Sequence, residues 1–245
     1  MLDLSDKKIL VTGASSGIGR AVSTLLSELG ASVCLCGRDQ QRLLETQGMM
    51  KNPDRHSSIT FDVKNCDEFD EVFHTMVSDG KKLNGFVHCA GIARVTPLRS
   101  MKVPTINEVM DTNFTSFMCL VSLYAKKKYS EEGSIVAVSS ANSHYPQKCM
   151  SVYAASKYAL EAAVKTMALE LTERNIRINC VIPGAIRTAM IEGIRDEALE
   201  AIEKKQLLGM GKPEDVAGMV VFLLSDMASF ITGRSMFVDG GMLGQ

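Results

Sequence analysis

Short apolar segments alternate with helical patterns along the whole chain, and this alternation limits the folds that the chain can adopt. An apolar segment at residues 7–12 precedes a helical pattern at 18–29, and a second apolar segment at 31–36 precedes a helical pattern at 40–49. Continuously apolar strands separated by helices are typical of a parallel sheet covered on both faces. With right-handed crossovers between the strands, the pattern predicts a doubly wound α/β fold.

The same pattern continues to the end of the chain. It predicts strands at residues 58–62, 85–89, 134–139, 177–182 and 235–238, helices at 67–78, 105–128 and 152–173, and further helical segments between 189 and 224. A length of 245 residues is near the upper end of what one hydrophobic core supports. We therefore predict one domain over residues 1–245.

Composition and charge argue against several classes of protein. With 27 basic and 28 acidic residues, the formal net charge of −1 gives no electrostatic basis for nucleic-acid binding. The longest apolar run, residues 219–224, is too short to span a membrane, and the N-terminal residues do not resemble a signal peptide. Seven cysteines without a Cys-x-x-Cys pair favour reduced, buried thiols over disulfides or zinc ligands. We expect a cytoplasmic protein without a metal ion.

A glycine-rich turn joins the first predicted strand to the first predicted helix. Its sequence is Thr12-Gly13-Ala14-Ser15-Ser16-Gly17-Ile18-Gly19. Gly13 permits the tight turn, Gly17 lets a pyrophosphate approach the backbone, and Gly19 lets helix and strand pack closely. The N–H groups at the start of the helix would then face the phosphates. In this strand–turn–helix context the motif predicts dinucleotide binding; the alternative is a plain glycine-rich loop.

The end of the second predicted strand indicates which dinucleotide is bound. An NAD site places Asp or Glu there to bind the ribose hydroxyls, whereas this chain has Gly37 followed by Arg38. A guanidinium suits a 2′-phosphate through forked, charge-assisted hydrogen bonds. The position therefore predicts NADP(H) rather than NAD(H), unless Arg38 is only a solvated charge. Asp39 is expected to cap the next helix.

Tyr153 and Lys157 are four residues apart on a predicted helix and so share one face. A tyrosine pKa of about 10 is too high for acid–base work near neutral pH, and a nearby ammonium would lower it. Tyr124 and Lys128 have the same spacing, but their helix ends in three consecutive lysines, which the helix dipole favours. Tyr153 instead follows the fifth strand, and Ser140 lies at that strand's carboxyl end, where ligands bind in such sheets.

The order of several motifs resembles the short-chain dehydrogenase/reductase family over nearly the whole chain, and most of all its 3-oxoacyl-carrier-protein reductase-like members. The motifs are T-G-x-x-x-G-I-G, Asp62-Val63, Asn113, Ser140, Y-x-x-x-K, Pro183-Gly184 and the segments at residues 211–217 and 238–241. The resemblance implies a seven-stranded Rossmann-like sheet and a homotetramer or dimer. It also implies hydride transfer between NADP(H) and a carbonyl or alcohol.

The resemblance further implies the roles of individual residues. Ser140 and Tyr153 would bind the carbonyl oxygen, and Tyr153 would donate the proton. Lys157 would hold the nicotinamide ribose and tune Tyr153, while Asn113 would support a water path that returns the proton. The implied cofactor contacts are Gly13, Ser15, Ser16, Gly17, Ile18, Gly19, Arg38, Asp62, Val63, Ala90, Gly91, Tyr153, Lys157, Pro183, Gly184, Ile186 and Thr188.

One position departs from the family pattern. Where the family commonly has Asn-Asn-Ala-Gly, this chain reads His88-Cys89-Ala90-Gly91. We interpret His88 as a structural substitution for a side chain that braces neighbouring strands, and not as a catalytic histidine. It puts local rigidity and cofactor affinity in question but leaves the class of reaction unchanged.

The substrate is the least determined property. The residues predicted to line its pocket, together with Ser140 and Tyr153, are Asn142, His144, Tyr145 and Gln147. Residues 187–210 are predicted to form a lid, or else a static pair of surface helices. A 3-oxoacyl thioester is favoured over a sugar, a steroid-like alcohol or another small alcohol. A third hypothesis is a non-catalytic NADP(H)-binding module. Acyl carrier protein as a partner rests only on the basic residues Lys126, Lys127, Lys128, Lys148 and Arg187.

Overall fold

A parallel sheet of seven strands forms the centre of the computed structural model, which describes residues 2–189, 200–201 and 203–242. The strand order is β3-β2-β1-β4-β5-β6-β7, so the chain changes direction across the sheet between β1 and β4. This arrangement confirms the predicted doubly wound fold. The strands are β1 Lys8–Thr12, β2 Ser32–Gly37, β3 Ser57–Thr60, β4 Leu83–His88, β5 Ser130–Val138, β6 Ile176–Pro183 and β7 Ser235–Val238.

Helices cover both faces of this sheet. They are α1 Gly17–Glu28, α2 Gln40–Met49, α3 Phe69–Met76, α4 Val103–Met110, α5 Ser116–Tyr124, α6 Ser151–Leu171 and α7 Pro213–Leu224. The sheet sits between two hydrophobic clusters, since successive strand residues point to opposite faces. Leu10 packs with α3, α5 and α6, whereas Ile9 and Val11 pack with α1, α2 and α7.

The predicted helix at residues 105–128 differs most from the structure. It begins at Val103, with Pro104 in the first turn where its missing N–H is harmless, and α5 ends at Tyr124. Between α4 and α5 the chain forms a π turn over Asp111–Thr115. The helical sequence pattern does not reveal that turn, because a π turn adds a residue without changing composition.

Strand β5 begins four residues earlier than predicted. It runs through the exposed Glu131 and Glu132, where the register with β4 shifts, so its first part lacks the apolar pattern of a buried strand. The expected cap of α2 is confirmed, since the Arg42 N–H donates to the Asp39 carboxylate at 3.1 Å.

Other predictions concern the cysteines and the lid. Cys34, Cys36 and Cys180 are buried free thiols, but the other four cysteines are partly exposed free thiols, so the expectation of burial was wrong for them.

In the part of the chain that the structure describes, no helix has the length and apolar character needed to cross a membrane. The predicted lid at residues 187–210 lies largely outside the described residues, which exclude 190–199 and 202.

Candidate active site

The glycine-rich turn lies at the carboxyl edge of the sheet, between β1 and β4, where the strand order reverses. Gly13 has a φ of +68°, and a Cβ on it would lie 2.8 Å from the Ala90 nitrogen. Only glycine allows this contact between the turns that follow β1 and β4. A Cβ on Gly17 would lie 3.2 Å from the Thr188 side chain, so Thr188 stands beside the start of α1. Loops after β1, β4 and β6 thus meet around one cleft.

The start of α1 presents backbone N–H groups to this cleft. Ser16 precedes the helix in an extended conformation (φ −167°), and its side chain makes no capping hydrogen bond within the described residues. The Arg20 side chain fixes the backbone of Ser15. Its guanidinium donates to the Ser15 carbonyl oxygen at 2.8 Å and to the Thr46 hydroxyl at 3.0 Å. Ile18 lies in the first turn of the helix and packs against the core. This arrangement suits an anion such as a pyrophosphate.

The end of β2 lies against this loop. A Cβ on Gly37 would be 3.6 Å from the Ser15 hydroxyl oxygen and 3.3 Å from Leu43, so a larger side chain would be crowded there. Arg38 is exposed, whereas the Asp39 carboxylate faces the start of α2. The position that an NAD site gives to a carboxylate is therefore occupied by glycine, with a hydroxyl and a guanidinium close by.

Asp62 and Val63 lie just after β3, which ends at Thr60 and not at Asp62 as predicted. Both side chains make contacts within the protein. The Asp62 carboxylate accepts a hydrogen bond from the Lys64 N–H at 3.0 Å, which closes a local turn. Val63 is buried in the hydrophobic cluster on the α3 face.

Ser140 and Tyr153 lie together beyond the carboxyl end of β5. Tyr153 is in the first turn of α6, and its hydroxyl lies near that of Ser140. Burial raises the pKa of Tyr153, and the neighbouring Ser140 hydroxyl opposes that rise. The expectation that Lys157 lowers this pKa is not met here, because the Lys157 ammonium donates to the Val138 carbonyl oxygen at 2.8 Å.

Lys157 and Asn113 approach each other beneath the turn after β4. A Cβ on Gly91 would lie 3.1 Å from Lys157 Nζ and 3.3 Å from Asn113 Oδ1. Burial lowers the pKa of Lys157 to about 8. A lysine with such a pKa both gives up and accepts a proton near neutral pH, which suits acid–base chemistry.

Asn113 lies in the π turn, and its amide ties three elements together. Its Oδ1 accepts from the Ile92 N–H at 2.8 Å, and its Nδ2 donates to the Ile92 carbonyl at 3.0 Å and to the Ser156 hydroxyl at 2.9 Å. The Ser156 hydroxyl in turn donates to the Tyr153 carbonyl at 2.7 Å. Sequence reasoning missed Ser156, although it lies inside the Tyr153–Lys157 motif. These bonds use both amide donors of Asn113, so its side chain is a fixed part of the scaffold.

His88 is buried below the site and contacts the first strand. Its Nδ1 lies 3.1 Å from the Thr12 hydroxyl, which also accepts the Ala90 N–H at 3.3 Å. Burial lowers the pKa of His88 to about 3, so the ring is neutral. Its Nε2 makes no hydrogen bond within the described residues. These contacts support the structural interpretation of His88.

The turn after β6 lies beside the glycine-rich turn, where Thr188 approaches Gly17. Pro183 ends β6, the Gly184 N–H donates to the Val238 carbonyl at 3.0 Å, and Ile186 pairs with Gly211. The buried Gln206 accepts from the Ala185 N–H at 2.5 Å and donates to the Gly209 carbonyl at 2.6 Å. Sequence reasoning missed Gln206, since one polar residue in a helical segment carries no signal.

The predicted substrate residues lie in the loop between β5 and α6. The Asn142 N–H donates to the Ser140 hydroxyl at 3.2 Å, and the buried Asn142 Oδ1 has no hydrogen-bond partner among the described residues. Tyr145 packs with Ala141 and the end of β6. Asn142 therefore contacts Ser140 directly, whereas Tyr145 packs in the cluster that contains Ala141.

Comparisons with known proteins agree with this geometry. The model of a family described as Enoyl-(Acyl carrier protein) reductase matches residues 13–243. The chain is similar to the 3-oxoacyl-[acyl-carrier-protein] reductase FabG of Rickettsia felis, with 35% identity over 245 residues that cover 99% of each protein.

Two solved structures have the same fold. A dehydrogenase/reductase from Sinorhizobium meliloti superposes with a TM-score of 0.93 at 30% identity, covering 99% of this chain and 97% of that one. A short-chain dehydrogenase/reductase from Brucella melitensis, described as a glucose/ribitol dehydrogenase, gives a TM-score of 0.94 at 26% identity, covering 100% and 99% of the two chains.

Proposed function

Because this chain belongs to the short-chain dehydrogenase/reductase family, an oxidoreductase family, we propose that it uses NADP(H) to reduce the ketone of a 3-oxoacyl thioester to a secondary alcohol. The observation that carries the proposal is the placement of Tyr153 near Ser140 and one helical turn from the buried Lys157. The similarity to a 3-oxoacyl-[acyl-carrier-protein] reductase supports the choice of substrate.

The residues at the carboxyl edge fit a nicotinamide dinucleotide. The start of α1, with Ser15, Ser16 and Ile18, would bind the pyrophosphate, and Arg38 with the Ser15 hydroxyl would bind a 2′-phosphate. When bound, NADPH supplies a hydride to the carbonyl carbon of the substrate. The remaining contacts would be Asp62 and Val63 at the adenine, Ala90 and Gly91 beneath the ribose, and Pro183, Gly184, Ile186 and Thr188 at the nicotinamide end.

The chain's own residues would handle the proton. Ser140 and Tyr153 donate hydrogen bonds to the carbonyl oxygen, and these bonds strengthen as negative charge develops there. The O–H bond of Tyr153 breaks as the O–H bond of the alcohol forms, which leaves a tyrosinate. Lys157, with its pKa near 8, can return a proton to that anion. Asn113 holds the turn after β4 against α6 and so keeps Lys157 in place.

The charges on the protein surface give little support for acyl carrier protein as the carrier of the thioester. Of the basic residues that suggested acyl carrier protein, Lys126 and Lys128 pair with Asp70 at 3.6 and 3.1 Å, and Arg187 pairs with Glu203 at 3.7 Å. Partly neutralised cations attract an acidic partner less strongly. The coenzyme A thioester is therefore the first substrate to test, followed by the carrier-protein thioester.

The domain organisation, oligomeric state and cellular compartment are also part of the proposal. We propose one domain over residues 1–245, a substrate lid at 187–210 and a homotetramer or dimer in the cytoplasm. The exposed side chains of Leu98 and Val103, 81% and 66% accessible, support self-association, because large apolar side chains that are close in sequence are often covered by a partner. The free thiols suit a reducing compartment.

A second substrate class is favoured by one comparison. The Brucella melitensis protein, described as a glucose/ribitol dehydrogenase, shares the fold at a TM-score of 0.94. A sugar or another small alcohol would use the same Ser140, Tyr153 and Lys157 chemistry in the opposite direction. The fold does not separate the two substrate classes, since substrate choice depends on the loops.

Steady-state assays with both substrate classes test the proposal. We expect NADPH oxidation with acetoacetyl-CoA to be much faster than NADP⁺ reduction with ribitol or glucose, and faster with NADPH than with NADH. Activity only with the polyols would replace the thioester by a sugar substrate. NADPH binding by calorimetry without turnover of either class would favour the non-catalytic binding module.

A further inference from the structure

Glu161 is a buried carboxylate on the catalytic face of α6. It follows Tyr153 and Lys157 at intervals of four residues, so the three side chains lie along one side of the helix. Its side chain is only 4% exposed. A carboxylate in such a position is stable only when its oxygens are hydrogen-bonded, because burial removes its hydration.

Three side chains from the loop after β5 satisfy this carboxylate. The Ser139 hydroxyl donates to Oε1 at 2.7 Å and the Ser143 hydroxyl lies 2.9 Å from the same oxygen. His144 Nε2 lies 2.9 Å from Oε2. Hydrogen bonds to a charged group are stronger than those between neutral groups, so this cluster is a firm attachment between loop and helix.

The attachment points flank Ser140 on both sides. Ser139 precedes it directly, and the Ser143 hydroxyl lies 2.5 Å from the Ser140 carbonyl oxygen. The loop segment that carries Ser140 therefore has few ways to move relative to α6. Since Tyr153 is on α6, the same bonds set the position of the Ser140 hydroxyl relative to that of Tyr153.

His144 extends the attachment to the neighbouring strand. Its ring centroid lies 5.5 Å from that of Tyr158 on α6 and 5.1 Å from that of Phe237 on β7. The ring is thus held between two elements while its Nε2 faces Glu161. The loop is fixed against both α6 and β7 through this one side chain.

We propose that Glu161 is a positioning residue for Ser140: by gathering Ser139, Ser143 and His144 around its buried carboxylate, it holds the Ser140 hydroxyl in reach of Tyr153 and of the substrate oxygen. Glu161 itself does not touch the reacting atoms. The proposal rests on the proposed reductase function for its effect on turnover, but the attachment of the loop to α6 is testable without turnover.

Kinetics with Glu161→Gln test the effect on catalysis. The amide keeps the size of the side chain but loses the charge and one acceptor, and we expect kcat for acetoacetyl-CoA to fall about tenfold, because small misplacements of catalytic groups are costly. The KM for NADPH should stay unchanged. Glu170→Gln, an exposed site on the same helix, is the matched control and should leave both values unchanged.

A double-mutant cycle separates positioning from general destabilisation. If Glu161 acts through Ser140, then Glu161→Gln should lower kcat less than about twofold in a Ser140→Ala background, because residues that act as a unit are not additive. An equal loss of kcat in both backgrounds would overturn the proposal.

Hydrogen exchange followed by mass spectrometry tests the attachment in the absence of substrate. Peptides covering residues 139–150 should exchange faster in Glu161→Gln than in wild type or Glu170→Gln, with other peptides unchanged. If the Gln variant does not fold, Ser143→Ala removes one contact and should show a smaller increase in the same peptides. Unchanged exchange in this loop would refute the proposal. If the loop exchanges faster in Glu161→Gln but the wild-type protein reduces no ketone, the result would count only against the proposed substrate.

Discussion

The Lys157 ammonium donates a hydrogen bond to the Val138 carbonyl oxygen at 2.8 Å, at the point where β5 leaves the sheet. The nearest acid on the same helix face, Glu161, is occupied by the loop residues around it. Lys157 is therefore buried with a backbone oxygen as its hydrogen-bond acceptor, and burial lowers its pKa to about 8. Burial therefore makes the charged form of Lys157 less favourable in the folded protein than in water.

This burial predicts that Lys157→Met stabilises the protein while abolishing turnover. The folded-state pKa lies below the ordinary value of 10.5, so below pH 8 the folded protein carries a proton that the unfolded chain binds more tightly. We expect the free energy of unfolding at pH 7 to rise by about 1–2 kcal/mol, part of the gain being lost with the bond to Val138. The advantage should shrink as pH rises from 8 to 10.5.

Denaturant unfolding at several pH values measures this effect. Lys165→Met, an exposed lysine on the same helix, is the control and should change stability little. A Lys157→Met protein less stable than wild type at pH 7 would mean that the hydrogen bond to Val138 outweighs desolvation.

Replacing Tyr153 by Phe should remove the general acid. We expect kcat to fall at least about a hundredfold, the usual contribution of a positioned acid or base, with NADPH affinity nearly unchanged. Tyr124→Phe is a control with the same four-residue spacing to a lysine, and Tyr124 is fully buried in the core. Comparable losses in both variants would argue against the assigned role of Tyr153.

Arg38→Ala should weaken selectivity for NADPH. Loss of a charge-assisted hydrogen bond of roughly 1.5–3 kcal/mol corresponds to an increase of about 10–100-fold in the KM for NADPH, with little change for NADH. Arg42→Ala, an exposed arginine on α2, provides the comparison. Equal effects of Arg38→Ala on both cofactors would rule out a 2′-phosphate contact.

His88→Asn should flatten the acid branch of the stability profile. The folded-state pKa of His88 is lowered to about 3 from 6.5, so the unfolded chain binds the proton first as pH falls. The wild-type free energy of unfolding should therefore decline from about pH 6.5 towards pH 3, by up to about 1.4 kcal/mol per pH unit from this group. The variant should lose that component.

Thermal unfolding of wild type and His88→Asn at pH 7 and pH 5 tests this prediction. His74→Asn, at an exposed position, should keep the wild-type dependence on pH. If His88→Asn showed the same acid dependence as wild type, His88 would not be the titrating group.

Local features of the sequence determined the architecture and the outline of the site. The apolar strands, the helical patterns and the glycine-rich turn depend on neighbouring residues, since backbone geometry and period act over a few positions. The Gly37-Arg38 step and the spacing of Tyr153 and Lys157 are local in the same way. These features placed seven strands in the right order along the chain and gathered the candidate residues at one edge.

Tertiary structure decided what depends on contacts between distant residues. The π turn at Asn113, its bond to Ser156 and the cluster around Glu161 exist only once α5, α6 and the loop after β5 are packed together. The raised pKa of Tyr153 also depends on the packed structure, because burial removes water from its hydroxyl. The spacing of Tyr153 and Lys157 in the sequence does not predict this burial. A linear pattern specifies which residues share a helix face, but only the packed chain sets which of their polar atoms meet and which lose contact with water.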